Sequence, residues 1–259
     1  MRLVVKFPTR GRPNKFVDIL NRYINMASGM RDVHYVVSMD HDDPSMNNQN
    51  IISHLERLRN RMEGRVHFAY GASKGKIEAC NANLNMVRNL NPHVILLASD
   101  DMIPIVSGYD DIICKDMAKY YPDMDGVLHY NDGFSGQDRL ITLSILGTKY
   151  FDRFGYIYHP EYKSVFSDDE FTQVARALNK VTYIDRCIIQ HNWVGLPYAM
   201  AAQGKMDPNK IQRDAVHERN ESPEMYAHDK EVFERHKANN FGIPVKQESL
   251  HNEPVQAAG

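Results

Sequence analysis

The chain has 259 residues, of which 42% are hydrophobic and 25% are charged, and its formal net charge at pH 7 is -2. This composition is typical of a folded globular protein with a sizeable core, and it excludes a largely disordered chain. The small net charge excludes a global attraction to nucleic acid or acidic membranes, so any such contact requires a local basic patch.

Short apolar runs alternate with amphipathic segments through the first half of the chain. The runs are residues 3–7, 33–38, 66–70, 94–98 and 126–130. Continuous apolar runs suit strands that are covered on both faces. Between them, residues 16–24 and 51–62 carry apolar side chains at helical spacing. The alternation predicts an α/β fold, a doubly wound and mostly parallel sheet with helices on both faces.

The alternation loosens after residue 135. Residues 140–146 and 181–189 resemble strands, and residues 169–178 resemble a helix. From residue 205 onwards the chain is polar and charged, with helix-compatible stretches at 210–218 and 225–238. We predict three parts: a main domain with two halves (1–105 and 106–204), a small helical carboxyl-terminal extension (205–247) and a frayed tail (248–259).

The cysteines and the first apolar run indicate in which cellular compartment the protein is expected. Cys80, Cys114 and Cys187 are widely spaced and odd in number, which suits neither a disulfide framework nor a zinc cluster. They are predicted to be reduced core residues. Residues 3–7 are too few for a signal-peptide core or a membrane span. We therefore expect a cytoplasmic protein without membrane insertion.

The loop after the first strand has the sequence PTRGRP at residues 8–13. Open parallel sheets bind ligands at the carboxyl ends of their strands, which makes this loop a candidate binding element. One interpretation is a turn and helix start, with Thr9 or Asn14 as the cap and Pro13 in the first turn. The other is a cradle of backbone and guanidinium groups for a nucleotide.

The next two loops are also polar. The second strand ends in three carboxylates within residues 40–43, which suits either a binding loop or a solvated turn. The third leads into GASKGK at residues 71–76 and then a predicted helix that carries Glu78, Asn81 and Asn83. This loop lacks Walker spacing, but its lysines and glycines suit contact with phosphate or carbohydrate.

The apolar run at residues 94–98 leads directly into Ser99-Asp100-Asp101. Two adjacent carboxylates at the end of a central strand repel each other unless a positive group lies nearby. A hard divalent cation that also binds a diphosphate would supply that charge. An ordinary helix cap is the alternative.

The order and content of these loops resemble those of glycosyltransferases of the GT-A fold, especially family 2. The resemblance implies a nucleoside diphosphate sugar as donor, most readily a UDP-sugar, and a metal ion, Mn²⁺ or Mg²⁺, bound by Asp101. Residues 1–105 would form the nucleotide-binding half and residues 106–204 the acceptor half. The residues that the resemblance assigns to donor binding are Pro8, Thr9, Arg10, Arg12, Asp40, Lys76 and Asp100.

Two later segments extend the resemblance to about residue 195. Residues 167–171, SDDEF, resemble the acidic motif that supplies the general base of inverting members, which implies Asp169 or else Asp168. His191 resembles the late histidine that completes the metal site. The alternatives are structural roles: Asp168 would cap a helix, and His191 would be an ordinary loop histidine.

The sequence departs from the family pattern in two places. The central motif is Ser-Asp-Asp instead of a strict Asp-x-Asp, and the Gln-x-x-Arg-Trp element of processive polysaccharide synthases is absent. A processive polymerase is therefore disfavoured. A nucleotidyltransferase remains an alternative, although its glycine-rich first loop is poorly matched, and so does an inactive nucleotide-binding module.

The predicted acceptor is a hydroxyl group of a saccharide or glycan. The chain also resembles stand-alone transferases encoded by bacteriophages, some of which glycosylate hydroxymethylated bases in DNA. Basic residues such as Lys205, Lys210, Arg213 and Arg235 would then contact phosphates, although acidic residues are interleaved with them.

Overall fold

The computed structural model describes residues 1–133, 138–192 and 222–244. In this part of the chain the strands are β1 (Arg2–Pro8), β2 (Asp32–Asp40), β3 (Val66–Gly71), β4 (Val94–Leu97), β5 (Met102–Pro104), β6 (Val127–Tyr130), β7 (Ile145–Gly147), β8 (Val181–Ile184) and β9 (Ile189–His191). The helices are α1 (Pro13–Met26), α2 (Gln49–Arg61), α3 (Lys76–Asn81), α4 (Leu84–Asn89), α5 (Tyr109–Tyr120), α6 (Thr148–Phe154), α7 (Ser167–Ala177) and α8 (Pro223–Ala238), followed by a 3-10 turn, Asn240–Gly242.

Seven strands form the main sheet in the order β3-β2-β1-β4-β7-β6-β8. Strands β1 to β4 are parallel, β7 is antiparallel to both of its neighbours, and β6 and β8 are parallel. Strands β5 and β9 form a separate antiparallel pair. The predicted mostly parallel α/β sheet is confirmed.

The two faces of the sheet bury two separate hydrophobic cores, because side chains alternate along each strand. Leu3, Val5 and Phe7 of β1 belong to one core, together with buried residues of α1, α2 and α5. Val4 belongs to the other core, to which α3, α4, α6, α7 and α8 contribute. Helices therefore cover both faces. Cys80 and Cys114 are free and buried as predicted, whereas Cys187 is half-buried.

Two strand predictions in the second half are wrong in their extent. Residues 140–146 contribute only the start of β7, because Ile141 N donates to the Thr172 hydroxyl (3.0 Å) instead of to a neighbouring strand. Residues 181–189 divide between β8 and β9, because the chain turns after β8, where Arg186 N donates a hydrogen bond to Ile184 O (2.7 Å). This break allows β8 to join the main sheet while β9 pairs with β5.

The helix predicted to carry Glu78, Asn81 and Asn83 is in fact two short helices, α3 and α4. Asn83 adopts a left-handed conformation (φ 58°) between them. Asn81 is the last residue of α3, and its side chain binds the backbone of another segment: Oδ1 accepts from Ile157 N (3.0 Å) and Nδ2 donates to Tyr158 O (2.6 Å).

Helix α8 confirms the predicted helix at residues 225–238, and the predicted helix at 210–218 lies outside the described residues. Val232 and Phe233 are buried in the second core, so α8 packs directly against the main domain. The domain boundaries themselves stay predictions. No helix in the described part of the chain has the length and apolarity to span a bilayer.

Asp229 of α8 anchors the loop that precedes α7. Its carboxylate is fully buried and accepts from the backbone N–H groups of Lys163 (2.9 Å), Ser164 (2.7 Å) and Val165 (2.8 Å). Asp229→Ala should lower the free energy of unfolding by about 3 kcal/mol, because buried donors lose their acceptor. Urea denaturation measures the loss. The exposed Glu231→Gln on the same helix should change little, and equal effects of the two substitutions would contradict the anchoring role.

Candidate functional site

The loops after β1, β2, β3 and β4 meet at one edge of the sheet. Backbone hydrogen bonds continue past the strands, from Thr9 N to Ser38 O (3.0 Å), from His41 N to Gly71 O (2.8 Å) and from Ala98 N to Lys6 O (2.9 Å). These bonds hold the four loops side by side. The candidate donor-binding and metal residues of the first half of the chain therefore belong to one surface.

Ion pairs tie the first loop to the second. Arg10 Nη1 lies 2.9 Å from Asp40 Oδ2, and the guanidinium also binds both oxygens of Asp42 (2.5 and 3.1 Å). The other Asp40 oxygen accepts from Ser73 N (3.0 Å) in the third loop. The carboxylate of Asp43 accepts from Gly11 N (2.7 Å). Asp40 and Asp43 are buried, so the interpretation of residues 40–43 as a solvated turn is wrong for these two residues.

Thr9 carries a buried hydroxyl, and Thr9 Oγ1 has no hydrogen-bond partner among the described residues. The expected cap role of Thr9 or Asn14 is wrong, because Arg12 is the N-cap residue of α1 and no side chain caps this helix. Pro13 does occupy the first turn, as predicted. A buried hydroxyl without a partner is costly, which makes Thr9 a candidate ligand contact.

Asp100 is buried and forms ion pairs with residues of the first loop and of α1. Its Oδ1 lies 3.0 Å from Arg12 Nη1 and 3.7 Å from Lys15 Nζ. Burial raises the pKa of Asp100, and the two cations partly offset this effect. Protein cations therefore supply part of the charge compensation that the paired carboxylates require. The helix-cap alternative for this loop is wrong, since strand β5 follows Asp101.

Asp101 and His191 meet although they are 90 positions apart in the sequence. The antiparallel pairing of β5 with β9 places Met102 opposite His191, and Asn192 N donates to Asp101 O (2.7 Å). As a result, His191 Nε2 lies 3.7 Å from Asp101 Oδ2. Burial alone would raise the pKa of Asp101, but His191, the Ser99 hydroxyl and the charge of Lys76 lower it well below its usual value.

The Asp101–His191 pair fits a divalent metal ion. Carboxylate and imidazole bonds to such ions are about 2.0–2.2 Å long, so one ion can bridge donor atoms that are up to about 4 Å apart. The observed separation of 3.7 Å falls within that reach. Two protein ligands would leave coordination positions for the oxygens of a diphosphate.

Asp168 and Asp169 lie in the first turn of α7, where the sequence predicts a helix start. The cap role considered for Asp168 is wrong, because Phe166 is the N-cap residue, and Asp168 Oδ1 instead accepts from Asp169 N (3.2 Å). Burial and the negative charge of Asp168 raise the pKa of Asp169 to about 6. Such a carboxylate gains or loses a proton near neutral pH, as a general base must.

The loop before α7 packs against the start of α3, where Lys76 lies. Ile77 N donates to Lys163 O (3.2 Å). A Cβ at Gly75 would come within 2.9 Å of Lys163 O, so a glycine permits this close approach of two backbones. The contact links α7 to the third loop of the sheet edge.

Solved structures of other proteins resemble this chain, although no protein-family profile matches it and a search of curated proteins finds no relative. The mannosyltransferase PcManGT from Pyrobaculum calidifontis, in complex with GDP-Man and Mn²⁺, matches 94% of this chain and 76% of its own at 13% identity, with a TM-score of 0.55. S. aureus TarS 1-349 matches 96% and 76% at 16% identity, with a TM-score of 0.53. This chain has the GT-A fold.

One group near the candidate site was not predicted from the sequence. Lys6 of β1 is fully buried, and its Nζ donates to Ser38 Oγ (2.8 Å), which in turn donates to Asn83 Oδ1 (2.7 Å). Burial lowers the pKa of Lys6 to about 8. A lysine inside the apolar run at residues 3–7 was the available signal. Its partners are distant in the sequence, so the network could not be read from it.

Proposed function

We propose that this chain transfers a sugar from a nucleoside diphosphate sugar to a saccharide hydroxyl, in a metal-dependent reaction that inverts the anomeric centre. The proposal rests on the 3.7 Å approach of Asp101 and His191 at the edge that also carries the Arg10–Asp40 pair. The GT-A fold supports it, since PcManGT has this fold and was solved with GDP-Man and Mn²⁺.

The first two loops would hold the nucleoside of the donor, with a UDP-sugar as the first choice. Pro8, Thr9, Arg10 and Arg12 would contact base and ribose from the first loop, and Asp40 from the second. The rings of His41 and Tyr70 stack at 5.7 Å beside these loops, which adds an aromatic surface to this end of the site. Asp100 would bind the ribose, and Lys76 would bind the diphosphate.

Thr9→Val tests the nucleoside contact. The hydroxyl has no partner in the described residues, so the substitution should leave the melting temperature unchanged or raise it. It should weaken binding of the nucleoside diphosphate about fivefold, the effect of one lost hydrogen bond. Calorimetry measures the nucleotide affinity, and thermal unfolding measures the melting temperature. Tyr150→Phe is the matched control, because Tyr150 also carries a buried hydroxyl without a partner. Equal nucleotide affinity in all three proteins would contradict the contact.

Asp101 and His191 would hold Mn²⁺ or Mg²⁺, and the imidazole nitrogen in this donor set favours Mn²⁺. Such an ion supplies Lewis-acid stabilisation of the negative charge that develops on the leaving diphosphate. Lys76 is close enough to lower the pKa of Asp101, and its ammonium would add positive charge on the same side.

Asp169 would act as the general base. Its carboxylate takes the proton of the acceptor hydroxyl while the acceptor oxygen bonds to the anomeric carbon and the bond to the diphosphate breaks. Attack from the side opposite the leaving group inverts that carbon. With a pKa of about 6, Asp169 is ionised at neutral pH and is still a stronger base than an ordinary aspartate. Asp168 would not take the proton itself, and its negative charge would help to raise the pKa of Asp169.

We favour a saccharide over DNA as the acceptor. In the helix that was expected to contribute basic residues to DNA binding, Arg235 pairs with Glu161 (2.5 Å) and His236 with Glu170 (2.8 Å). These side chains are thus engaged within the protein. Lys205, Lys210 and Arg213 lie outside the described residues.

A product assay tests the function. The chain is incubated with a panel of UDP- and GDP-sugars, Mn²⁺ and simple glycans, and released nucleotides are separated by chromatography. We expect nucleoside diphosphate and a glycosylated glycan. In a parallel assay with nucleoside triphosphates and sugar 1-phosphates, pyrophosphate release would instead indicate a nucleotidyltransferase. Binding of nucleotide without turnover in either assay would indicate an inactive module. Duplex DNA with hydroxymethylated pyrimidines serves as a second acceptor, and transfer to DNA alone would contradict the saccharide proposal.

A further inference from the structure

A second cluster of metal-ligand side chains lies outside the donor site. His159, Glu170 and His236 each offer one ligand atom, and these atoms all lie within 4.8 Å of one another. The loop before α7 supplies His159, α7 supplies Glu170 and α8 supplies His236. His236 Nδ1 lies 2.8 Å from Glu170 Oε2, and the two imidazole rings are 4.4 Å apart between centroids.

We propose that His159, Glu170 and His236 bind one Zn²⁺ ion. Two imidazole nitrogens and one carboxylate oxygen form a donor set that zinc prefers, whereas Mg²⁺ and Ca²⁺ prefer oxygen ligands alone. Ligand atoms around tetrahedral zinc are about 3.3 Å apart, since each bond is about 2.0 Å long. The cluster atoms therefore need to approach by about 1.5 Å at most, a distance that side-chain rotation can supply.

The surroundings of the cluster match those of a metal site. Glu170 is buried (6% exposed), and Tyr162 donates its hydroxyl to Glu170 Oε2 (2.6 Å), which orients the carboxylate. Glu161 Oε2 lies 3.6 Å from His236 Nε2 and adds negative charge.

Space for a further ligand is present beside the cluster. His159 and Glu170 line a cavity of about 30 Å³ together with the hydroxyl-bearing Ser167. A water molecule fits in a cavity of this size, since about 10–15 Å³ of such volume is sufficient. Three protein ligands and one water complete a four-coordinate zinc site.

The zinc ion would join three segments near the proposed base. Glu170 directly follows Asp169 in α7, and His236 lies on α8, which also anchors the loop before α7 through Asp229. Zinc at this position would fix α8 against α7, and would thereby hold the first turn of α7 in place. This ion would be separate from the metal ion proposed at Asp101 and His191.

Metal content of the full chain tests the site. The protein is stripped with a chelator, dialysed against Zn²⁺ and analysed by plasma mass spectrometry and thermal unfolding. We expect about one zinc per chain and a melting temperature higher by about 5–10 °C. His159→Ala and His236→Ala should lose the zinc and the shift.

Three control variants should keep the zinc: His228→Ala on the same helix, His191→Ala in the donor site, and His67→Ala, which removes another close histidine pair. Wild-type protein without zinc, or zinc retained in His159→Ala and His236→Ala, would overturn the proposal. Because these variants could unfold, Co²⁺ in the wild-type chain gives a second readout. It should shift the NMR signals of His159 and His236, and shifts confined to other histidines would also overturn the site.

Discussion

Asp101→Ala is expected to lower sugar transfer by on the order of a thousandfold while the chain stays folded. The carboxylate is the anionic member of the proposed metal site, since His191 is the neighbouring donor at 3.7 Å. The backbone carbonyl of residue 101 keeps its hydrogen bond from Asn192, so the local pairing of β5 with β9 survives the substitution. Initial rates with a nucleotide sugar and Mn²⁺ measure the effect.

Two controls accompany this prediction. Asp123→Ala removes an exposed carboxylate that pairs with Lys149, and its activity should equal that of the wild type. In the wild type, a chelator should abolish turnover and added Mn²⁺ or Mg²⁺ should restore it. Full activity in excess chelator, or an Asp101→Ala variant as active as Asp123→Ala, would contradict the metal site.

Asp169→Asn is expected to lower turnover by on the order of a hundredfold or more, with little change in donor affinity. The amide keeps the size of the side chain but cannot accept the proton of the acceptor hydroxyl. Turnover and donor binding are measured separately, by steady-state kinetics and by calorimetry. A parallel loss of donor affinity would assign Asp169 to donor binding instead.

The pH profile distinguishes Asp169 from Asp168. Turnover should rise as pH increases through about 6, because Asp169 must be ionised to act as base. The negative charge of Asp168 contributes to the raised pKa of Asp169, so Asp168→Asn should shift the acidic limb to lower pH and keep most of the activity. Loss of activity in Asp168→Asn without such a shift would make Asp168 the base.

The raised pKa also has a consequence for stability. The folded chain binds the Asp169 proton more tightly than the unfolded chain, so the stability that protonation gives is fully present below about pH 4 and is lost as pH rises through about 6. At pH 7.5, Asp169→Asn should therefore be more stable than the wild type, by about 1 kcal/mol after allowance for solvent screening of this half-buried group.

The sequence was sufficient for strands β1 to β4 and for helices α1 and α2, because local pattern and tertiary structure agree there. The apolar run at residues 3–7 and the helical spacing at 16–24 became β1 and α1 with only small changes at their ends. The loops at the carboxyl ends of parallel strands could also be placed, since sheet geometry fixes them. Asp40 and Asp101 accordingly lie at one edge.

Other parts of the fold depended on contacts that no local pattern records. Strand β5 is three residues long and ends in a proline, so its pairing with β9 is set by tertiary structure, and the approach of His191 to Asp101 follows from that register. Arg12 was expected to bind nucleotide, and its ion pair with Asp100 lies across the sheet edge. The cluster of His159, Glu170 and His236 spans two helices and a loop and shows no sequence spacing.

Calorimetric titration of UDP and GDP, with Mn²⁺ and with excess chelator, tests whether a nucleoside diphosphate binds through a divalent metal at Asp101 and His191. One nucleotide should bind per wild-type chain in Mn²⁺, and affinity should fall at least tenfold in chelator and in Asp101→Ala and His191→Ala, while Asp123→Ala behaves as wild type. Equal affinity with and without metal, or unchanged metal-dependent binding in Asp101→Ala and His191→Ala, would contradict it.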